Sequence, residues 1–182
     1  MRSMSLWGYM GVGKSGLGKT LATQLDCAFV DLDRKIEETT GMSPSRWIQE
    51  KGELGFRKAE RECLLSVLDH FEGILACGGG TPCYFDNADR LLAGSHCVYL
   101  SAGPGFIAHR LQSARTERPL LSHLAPDQLP EFVAKHLFER RPFYEKAHTT
   151  LKMEGLSRTE ILKRLQEEFK AIPPHLDRPT PL

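Results

Sequence analysis

A glycine-rich run near the start of the sequence has the residues and the spacing of a phosphate-binding loop. Residues 8–15 read Gly-Tyr-Met-Gly-Val-Gly-Lys-Ser, which is one glycine, four further residues and then Gly-Lys-Ser. In such a loop, backbone N–H groups and the following helix start bind phosphate oxygens, the lysine reaches the outer phosphates, and the hydroxyl binds Mg²⁺. The residues that we expect to hold the phosphates of a nucleoside triphosphate are Gly11, Val12, Gly13, Lys14, Ser15 and Gly16.

The same pattern occurs a second time, at residues 13–20, and only one of the two registers can form the loop. The first register follows an apolar run with Met4, Leu6 and Trp7, which can form a buried strand. The second register would follow a stretch that is interrupted by glycines. We therefore predict the first register and place residues 17–25 in the helix that follows it.

Two carboxylates stand at the end of the next apolar run, residues 27–32. Alternate residues of a strand face the same way, so Asp31 and Asp33 are predicted to share one side of the strand end, where α/β sheets bind ligands. One carboxylate would lie near Mg²⁺, and the other could accept a hydrogen bond from a substrate hydroxyl. The alternative is that Asp33 only caps a helix over residues 34–40.

Two more clusters could bind an acceptor molecule. Arg57, in a Gly-Phe-Arg sequence near a helix start, offers a planar guanidinium that suits a carboxylate or a phosphate. Its alternative is a solvated surface pair with Glu60, three residues later. Three consecutive glycines, residues 78–80, follow an apolar run and would let a ligand approach the backbone closely.

Two arginines late in the chain complete the set of candidates. Arg118 lies in a polar segment, residues 113–130, which we predict to be a lid, and Arg140 begins an Arg-Arg-Pro-Phe-Tyr sequence. A lid arginine can close over a phosphate group during its transfer, which makes Arg118 a candidate catalytic residue. Ordinary surface charge is the alternative for both arginines.

Composition favours a single enzyme domain. The chain has 182 residues, of which 41% are apolar, so it can bury one substantial core. A formal net charge of +1 gives no electrostatic reason to expect nucleic acid or a membrane surface as a partner. Five cysteines without a Cys-x-x-Cys pair indicate free thiols in a reducing compartment. With no export signal and no long apolar run, we expect a cytoplasmic protein.

Apolar runs alternate with helix-like stretches along the chain, which predicts an α/β fold whose parallel sheet is covered on both faces. The predicted strands lie at residues 4–7, 27–32, 74–77, 97–100 and 149–153. Beyond the loop helix, the predicted helices lie at residues 34–40, 43–50, 56–68, 87–92, 105–112, 129–144 with an interruption at Pro142, and from a capping box at Ser157 onward. One domain would span residues 1–172, and the proline-rich residues 173–182 would form a tail.

Taken in order, these clusters resemble the shikimate kinase family over roughly residues 6–150. The matching pieces are the loop, Asp-Leu-Asp, Gly-Phe-Arg, the triple glycine, Arg-Pro-Leu-Leu and Arg-x-Pro-x-Tyr. The resemblance implies a P-loop kinase fold with a five-stranded parallel sheet and a lid. It also implies phosphate transfer from ATP, with Mg²⁺, to the 3-hydroxyl of shikimate in aromatic amino-acid biosynthesis. We expect a monomer.

The resemblance further assigns roles on the acceptor side. Asp33, Arg57, Gly79 and Arg140 would hold shikimate. Arg57 and Arg140 would bind its carboxylate, while Asp33 would orient the ring hydroxyls and take the proton.

On the nucleotide side, the resemblance assigns Lys14 and Arg118 to the ATP phosphates. Ser15 would bind Mg²⁺ directly, and Asp31 would reach the ion through water. Arg110 could stack on adenine; the alternative for Arg110 is an ordinary surface position on an amphipathic helix.

Proteins with this loop can have other functions, and three of them are compared with the sequence. A GTP-binding switch needs an Asn-Lys-x-Asp sequence, which is absent. Another small-molecule kinase, which would act on gluconate or on a nucleoside monophosphate, shares the loop and lid but not the combination of Asp-Leu-Asp with Gly-Phe-Arg. A weakly active, ligand-sensing relative is suggested by Gly16, which stands where the family has a hydroxyl residue.

Overall fold

Five parallel strands form the centre of the molecule. The structure is a computed structural model, and it describes residues 2–113, 125 and 127–173. The strands are β1 (Ser3–Trp7), β2 (Phe29–Asp31), β3 (Gly73–Ala76), β4 (His96–Ser101) and β5 (Thr149–Lys152). They pair in the order β2-β3-β1-β4-β5, and every pairing is parallel. The predicted α/β class and five-stranded parallel sheet are confirmed.

Helices connect the strands, as parallel pairing requires. In the described part of the chain they are α1 (Lys14–Leu25), α2 (Leu32–Thr40), α3 (Pro44–Leu68), α4 (Asn87–Gly94), α5 (Pro104–Ser113), α6 (Leu129–Tyr144) and α7 (Arg158–Ala171), with a short 3₁₀ turn at Thr81–Cys83. None of the described helices has the length and apolar content needed to span a membrane.

Helices cover both faces of the sheet. Met4 and Leu6 of β1 are fully buried in a core with residues of α1, α5, α6 and α7. The neighbouring Trp7, together with Leu75 of β3, is buried in a second core with residues of α2, α3 and α4. Because successive side chains of a strand point to opposite faces, the two cores lie on opposite sides of the sheet.

The strand and helix ends decide which glycine-rich register forms the loop. β1 ends at Trp7 and α1 begins at Lys14, so the first register is confirmed. Gly18, the glycine before the second lysine, lies inside α1 and is buried. A Cβ atom on Gly18 would lie 2.7 Å from the Phe29 ring, so this glycine lets α1 pack closely on the sheet.

Most predicted helix ends are confirmed, and one predicted interruption is wrong. Ser43 caps α3, and Ser157 begins α7 with a capping box. The two helices predicted at residues 43–50 and 56–68 are confirmed as two helical segments of α3, which meet at a kink where the backbone of Gly52 is non-helical. Pro142 does not interrupt α6, which continues past it to Tyr144.

Candidate active site

The carboxyl ends of β1, β2 and β3 meet at one cavity. It has a volume of about 350 Å³ and is lined by Met10, Gly11, Gly13, Lys14, Ser15, Gly16, Asp33, Cys77, Gly79 and Arg110. The loop between β1 and α1 therefore lies beside an acidic group and the triple glycine. Ligands of open parallel sheets bind at this edge.

The conformation of the loop depends on glycine and on hydrogen bonds from Lys14. Gly13 immediately precedes α1 and has a φ angle of 98°. Residues with a Cβ atom rarely adopt this backbone conformation. Lys14 is buried, and its ammonium donates hydrogen bonds to the carbonyl oxygens of Gly8 at 2.6 Å and Tyr9 at 3.0 Å. Ser15 is exposed at the helix start and lines the cavity. A cation and a helix N-terminus thus face the same space, which suits phosphate groups.

Asp33 lies in the cavity wall, but not on a strand. β2 ends at Asp31, which caps α2 by accepting a hydrogen bond from the backbone N–H of Arg34 at 3.3 Å. The prediction that both carboxylates alternate along one strand is therefore wrong, and so is the alternative that Asp33 caps the helix. Asp33 instead occupies the first turn of α2.

The surroundings of Asp33 raise its pKa to about 6, against 3.8 for an ordinary aspartate. Burial is the largest cause, and the charges of Glu60 and Asp31 act in the same direction. Lys14 and Arg57 oppose the change. Asp33 is consequently a carboxylate at neutral pH that is more basic than usual, as a proton acceptor should be.

Arg57 is a buried cation that lies against Gly80 of the triple glycine. Only 7% of its side chain is exposed, and it donates hydrogen bonds to Glu60 at 2.8 Å and to Glu53 at 3.1 Å. Its guanidinium carbon lies 4.2 Å from the centre of the Tyr84 ring. The predicted pair with Glu60 exists, but it is a buried pair rather than a solvated one.

Two of the three consecutive glycines make room for charged groups. A Cβ atom on Gly78 would lie 2.8 Å from Asp33 Oδ1 and 3.0 Å from Glu60 Oε1. A Cβ atom on Gly80 would lie 2.5 Å from Nη2 of Arg57. Neither residue has a positive φ angle, so glycine is not required here by the backbone conformation. It is required because the charged side chains approach the backbone closely.

The middle glycine joins the phosphate loop to α6. A Cβ atom on Gly79 would lie 3.2 Å from the backbone nitrogen of Met10 and 3.8 Å from Nη1 of Arg140. The Tyr144 hydroxyl donates a hydrogen bond to the carbonyl oxygen of Gly79. Arg140, which is half-buried, therefore reaches the same cavity wall as the triple glycine, although it follows Gly79 by 61 residues.

The other candidate residues differ in where they lie. Arg118 is outside the described residues, as is most of the predicted lid. Arg110 lines the cavity, and Nη2 of its guanidinium would lie 3.1 Å from a Cβ atom on Gly13. Its contact with adenine stays a prediction. Asp31 caps α2 and is not part of the cavity lining.

Glu60 is a site residue that the sequence analysis named only as a solvated partner of Arg57. It is fully buried and accepts hydrogen bonds from Arg57 and, at 2.6 Å, from the Thr81 hydroxyl. Glu53 supports Arg57 from the other side and accepts a hydrogen bond from Tyr84 at 2.7 Å. The sequence could have predicted that both carboxylates flank Arg57, because residues four before and three after it lie on the same helix face.

The oxygen groups of the site fit a hard cation. The Ser15 hydroxyl and the Asp33 carboxylate both line the cavity, and the charge of Asp31 is close enough to affect Asp33. Within the described residues, no three histidine, cysteine or carboxylate side chains converge as a metal site. The oxygens of Ser15 and Asp33 suit Mg²⁺, which is usually bound by one or two protein oxygens together with water and phosphate.

The family model described as shikimate kinase matches residues 10–170. The chain belongs to the shikimate kinase family. A shikimate kinase of Phocaeicola vulgatus is 38% identical over 156 residues, which cover 86% of this chain and 89% of that relative. The resemblance inferred from the separate motifs is thereby confirmed over nearly the whole chain.

Solved structures of the shikimate kinase family agree with the fold. The crystal structure of shikimate kinase from Bacteroides thetaiotaomicron matches with a TM-score of 0.86 and 34% identity, covering 93% of this chain and 98% of that one. Shikimate kinase from Acinetobacter baumannii in complex with shikimate matches with a TM-score of 0.81 and 29% identity, covering 94% of each chain. The predicted P-loop kinase fold is confirmed.

Proposed function

We infer that the protein transfers a phosphate group from ATP to the 3-hydroxyl of shikimate, a step of aromatic amino-acid biosynthesis. The observation that carries this proposal is one cavity lined by the phosphate loop, Asp33 and Gly79, with Arg57 and Arg140 beside the triple glycine, in a member of the shikimate kinase family. Among the described residues of the site, nothing favours gluconate or a nucleoside monophosphate as the acceptor.

On the acceptor side, Arg57 and Arg140 would bind the carboxylate of shikimate, and the backbone of Gly79 would lie against its ring. Guanidinium groups form strong, charge-assisted hydrogen bonds with carboxylates. Arg57 is held in place by Glu60 and Glu53, so little conformational entropy would be lost on binding. Asp33 would accept the hydrogen bond of the reacting hydroxyl and then its proton, since its pKa of about 6 keeps it ionised yet basic at neutral pH.

On the nucleotide side, residues 11–16 would bind the ATP phosphates. The Lys14 ammonium would exchange the carbonyl oxygens of Gly8 and Tyr9 for phosphate oxygens, and Arg118 would contribute a second cation from the lid. Ser15 would bind Mg²⁺ directly and Asp31 through water. Bound Mg²⁺ would neutralise phosphate charge, and the protein groups would position the two substrates for direct transfer.

The wider setting follows from composition. Free thiols at all five cysteines and a net charge of +1 support a cytoplasmic protein whose partners are small molecules rather than nucleic acid or membranes. We propose a monomer with one domain over residues 1–172, followed by a proline-rich tail.

The test is a phosphate-transfer assay with ATP, Mg²⁺ and shikimate, in which the product is identified by ³¹P and ¹H NMR. We expect phosphorylation at the 3-hydroxyl and none of gluconate or nucleoside monophosphates. Arg140→Ala and Arg57→Lys, which keeps a charge beside Glu60, should raise the KM for shikimate about 10- to 100-fold, because each removes charged hydrogen bonds.

Arg90→Ala serves as a matched control, since Arg90 is an exposed arginine of α4 that pairs with Asp86. It should leave both KM values unchanged. Faster turnover of another acceptor would overturn the proposal. Tight ADP binding without turnover would favour the ligand-sensing alternative suggested by Gly16.

A further inference from the structure

Tyr9 connects the phosphate loop to α6. It follows the first glycine of the loop and is fully buried. Its hydroxyl lies 3.1 Å from Nδ1 of His136, and the two rings meet edge to face with centroids 6.1 Å apart. The contact joins residues that are 127 positions apart in the sequence.

The same tyrosine also supports Arg140. The guanidinium carbon of Arg140 lies 5.7 Å from the centre of the Tyr9 ring, within the range of a cation–π interaction. Arg140 follows His136 by four residues in α6, so both side chains lie on one face of the helix. One loop residue therefore contacts two neighbouring side chains of α6.

Tyr144 extends this face by another helical turn. It follows Arg140 by four residues, and its hydroxyl donates a hydrogen bond to the carbonyl oxygen of Gly79. Gly79 in turn lies against the Met10 nitrogen in the phosphate loop. His136, Arg140 and Tyr144 thus attach α6 to the loop and to the triple glycine at three successive turns.

The charges around Tyr9 favour a neutral hydrogen bond. Burial raises the pKa of Tyr9 to about 12. Burial, and then the charge of Arg140, lowers the pKa of His136 below its usual value. At neutral pH the Tyr9 hydroxyl is therefore protonated and His136 is uncharged, so the imidazole does not repel the neighbouring arginine.

We propose that Tyr9 and His136 are positioning residues that couple the two substrate sites of the enzyme. When the loop holds phosphate, the Tyr9 ring and its bond to His136 keep Arg140 oriented toward the acceptor carboxylate. The two substrates consequently strengthen each other's binding. This inference rests on the proposed function, because it takes Arg140 as a ligand of the acceptor.

The test measures the dissociation constant of shikimate by titration calorimetry, with and without saturating ADP and Mg²⁺. In the wild type, ADP should tighten shikimate binding. Tyr9→Phe keeps the ring but removes the hydroxyl, so it should reduce this tightening by about 2- to 10-fold, the worth of one neutral hydrogen bond. Binding of ADP alone should change less than about 2-fold, because the phosphate ligands of the loop are unaltered.

Further variants separate coupling from a general structural effect. His136→Ala should match Tyr9→Phe, and the double variant should lose no more than either single one, since both remove the same bond. His136→Asn keeps a hydrogen-bonding group near the position of Nδ1 and should retain most of the coupling. Tyr9→Leu also removes the ring beneath Arg140 and should weaken shikimate binding further.

Two controls keep the outcomes distinct. Tyr99→Phe removes the hydroxyl of another buried tyrosine, which lies beside Ser101, and Lys135→Ala changes an exposed side chain next to His136. Both should bind as the wild type does. Absence of coupling in the wild type, or full coupling in Tyr9→Phe, would overturn the inference. If Arg140→Ala leaves shikimate binding unchanged, it is instead the proposed role of Arg140 that fails.

Discussion

The negative charge of Asp33 costs the folded protein free energy. Burial, then Glu60 and Asp31, raise its pKa to about 6, whereas an unfolded chain would have an aspartate near 3.8. A difference of this size corresponds to about 3 kcal/mol of folding free energy. Because the folded pKa is the higher one, the protonated form favours folding. This contribution is complete below about pH 4 and is lost as the pH rises through about 6.

Asp33→Asn should therefore stabilise the fold while removing activity. The amide has a similar shape but carries no charge, so the free energy of unfolding should rise by about 1–3 kcal/mol at pH near 8. The gain should vanish near pH 4, where the wild-type carboxyl is protonated. Urea unfolding at both pH values measures the difference, and ADP binding should be nearly unchanged.

Asp89→Asn is the matched control for this prediction. Asp89 is an exposed aspartate in the first turn of α4, so its substitution should change stability by less than about 0.5 kcal/mol at either pH. If Asp33→Asn is less stable than the wild type near pH 8, the charge of Asp33 is compensated by contacts that the amide cannot make.

At the scale of elements, the bend of α3 determines where Arg57 stands. The helix has one residue with non-helical backbone, Gly52, at φ 77° and ψ 161°. Glu53, Arg57 and Glu60 all follow this residue, so the bend sets the direction of the segment that carries them. No atom lies within 4 Å of a Cβ atom placed on Gly52, so its requirement for glycine is purely one of backbone conformation.

Gly52→Ala and Gly55→Ala should have opposite effects. The backbone of Gly52 lies in a region that is essentially restricted to glycine, so alanine should destabilise the fold by about 1–3 kcal/mol. Gly55 is helical, and its Cβ atom would make only an ordinary contact of 3.5 Å with Lys51. Alanine there should stabilise the fold by up to about 1 kcal/mol. Thermal unfolding of the two variants measures both signs.

The same pair of variants also tests the link to the site. Gly52→Ala should raise the KM for shikimate through Arg57, whereas Gly55→Ala should not. Equal stability changes in the two variants would mean that the bend of α3 does not depend on the conformation of Gly52.

Local signals predicted most of the elements. Gly41, which ends α2 in a left-handed conformation, and the caps Ser43 and Ser157 act through neighbouring backbone groups, so their effect can be read from the sequence. The start of α2 could not be read in this way. Leu32 is fully buried in the core, and a buried leucine looks the same at a strand end as in a first helical turn.

The site was predictable where one residue type suits one task. Lys14 and Arg140 are charged residues next to distinctive glycine or proline patterns, and Asp33 completes an Asp-Leu-Asp sequence. The structure places all three at or beside the cavity. The burial of Glu60 and the contact of Tyr9 with His136 were not predictable. They depend on which helix faces which loop, and tertiary packing alone decides that.

At the scale of the whole molecule, a second cluster of polar groups lies at the opposite ends of the strands. The rings of His96 and His148 stack with centroids 5.2 Å apart. His148 Nδ1 accepts a hydrogen bond from the backbone N–H of Cys97 at 3.0 Å, and His96 Nε2 lies 3.1 Å from Glu168. These contacts attach the start of the edge strand β5 to β4 and α7, away from the substrate site.

This cluster makes the fold sensitive to acid. Burial, and then the charge of His96, lowers the pKa of His148 below its usual value of 6.5. Because the folded pKa is the lower one, the contribution of His148 to stability is complete above the usual pKa and is lost as the pH falls through the folded value. Protonation of Nδ1 also removes the acceptor of the Cys97 N–H group.

His148→Asn should reduce this acid sensitivity. The Asn Oδ1 atom can accept the Cys97 hydrogen bond but does not titrate, so the fall in Tm between pH of about 7.5 and 5.5 should be smaller than in the wild type. Protonation of Asp33 stabilises the fold over the same pH interval, but it does so equally in the wild type and in the variant. The difference between their two curves of Tm against pH therefore isolates the contribution of His148. Parallel curves would mean that His148 has the same pKa in the folded and unfolded chain, and that the edge of the sheet does not respond to acid through this residue.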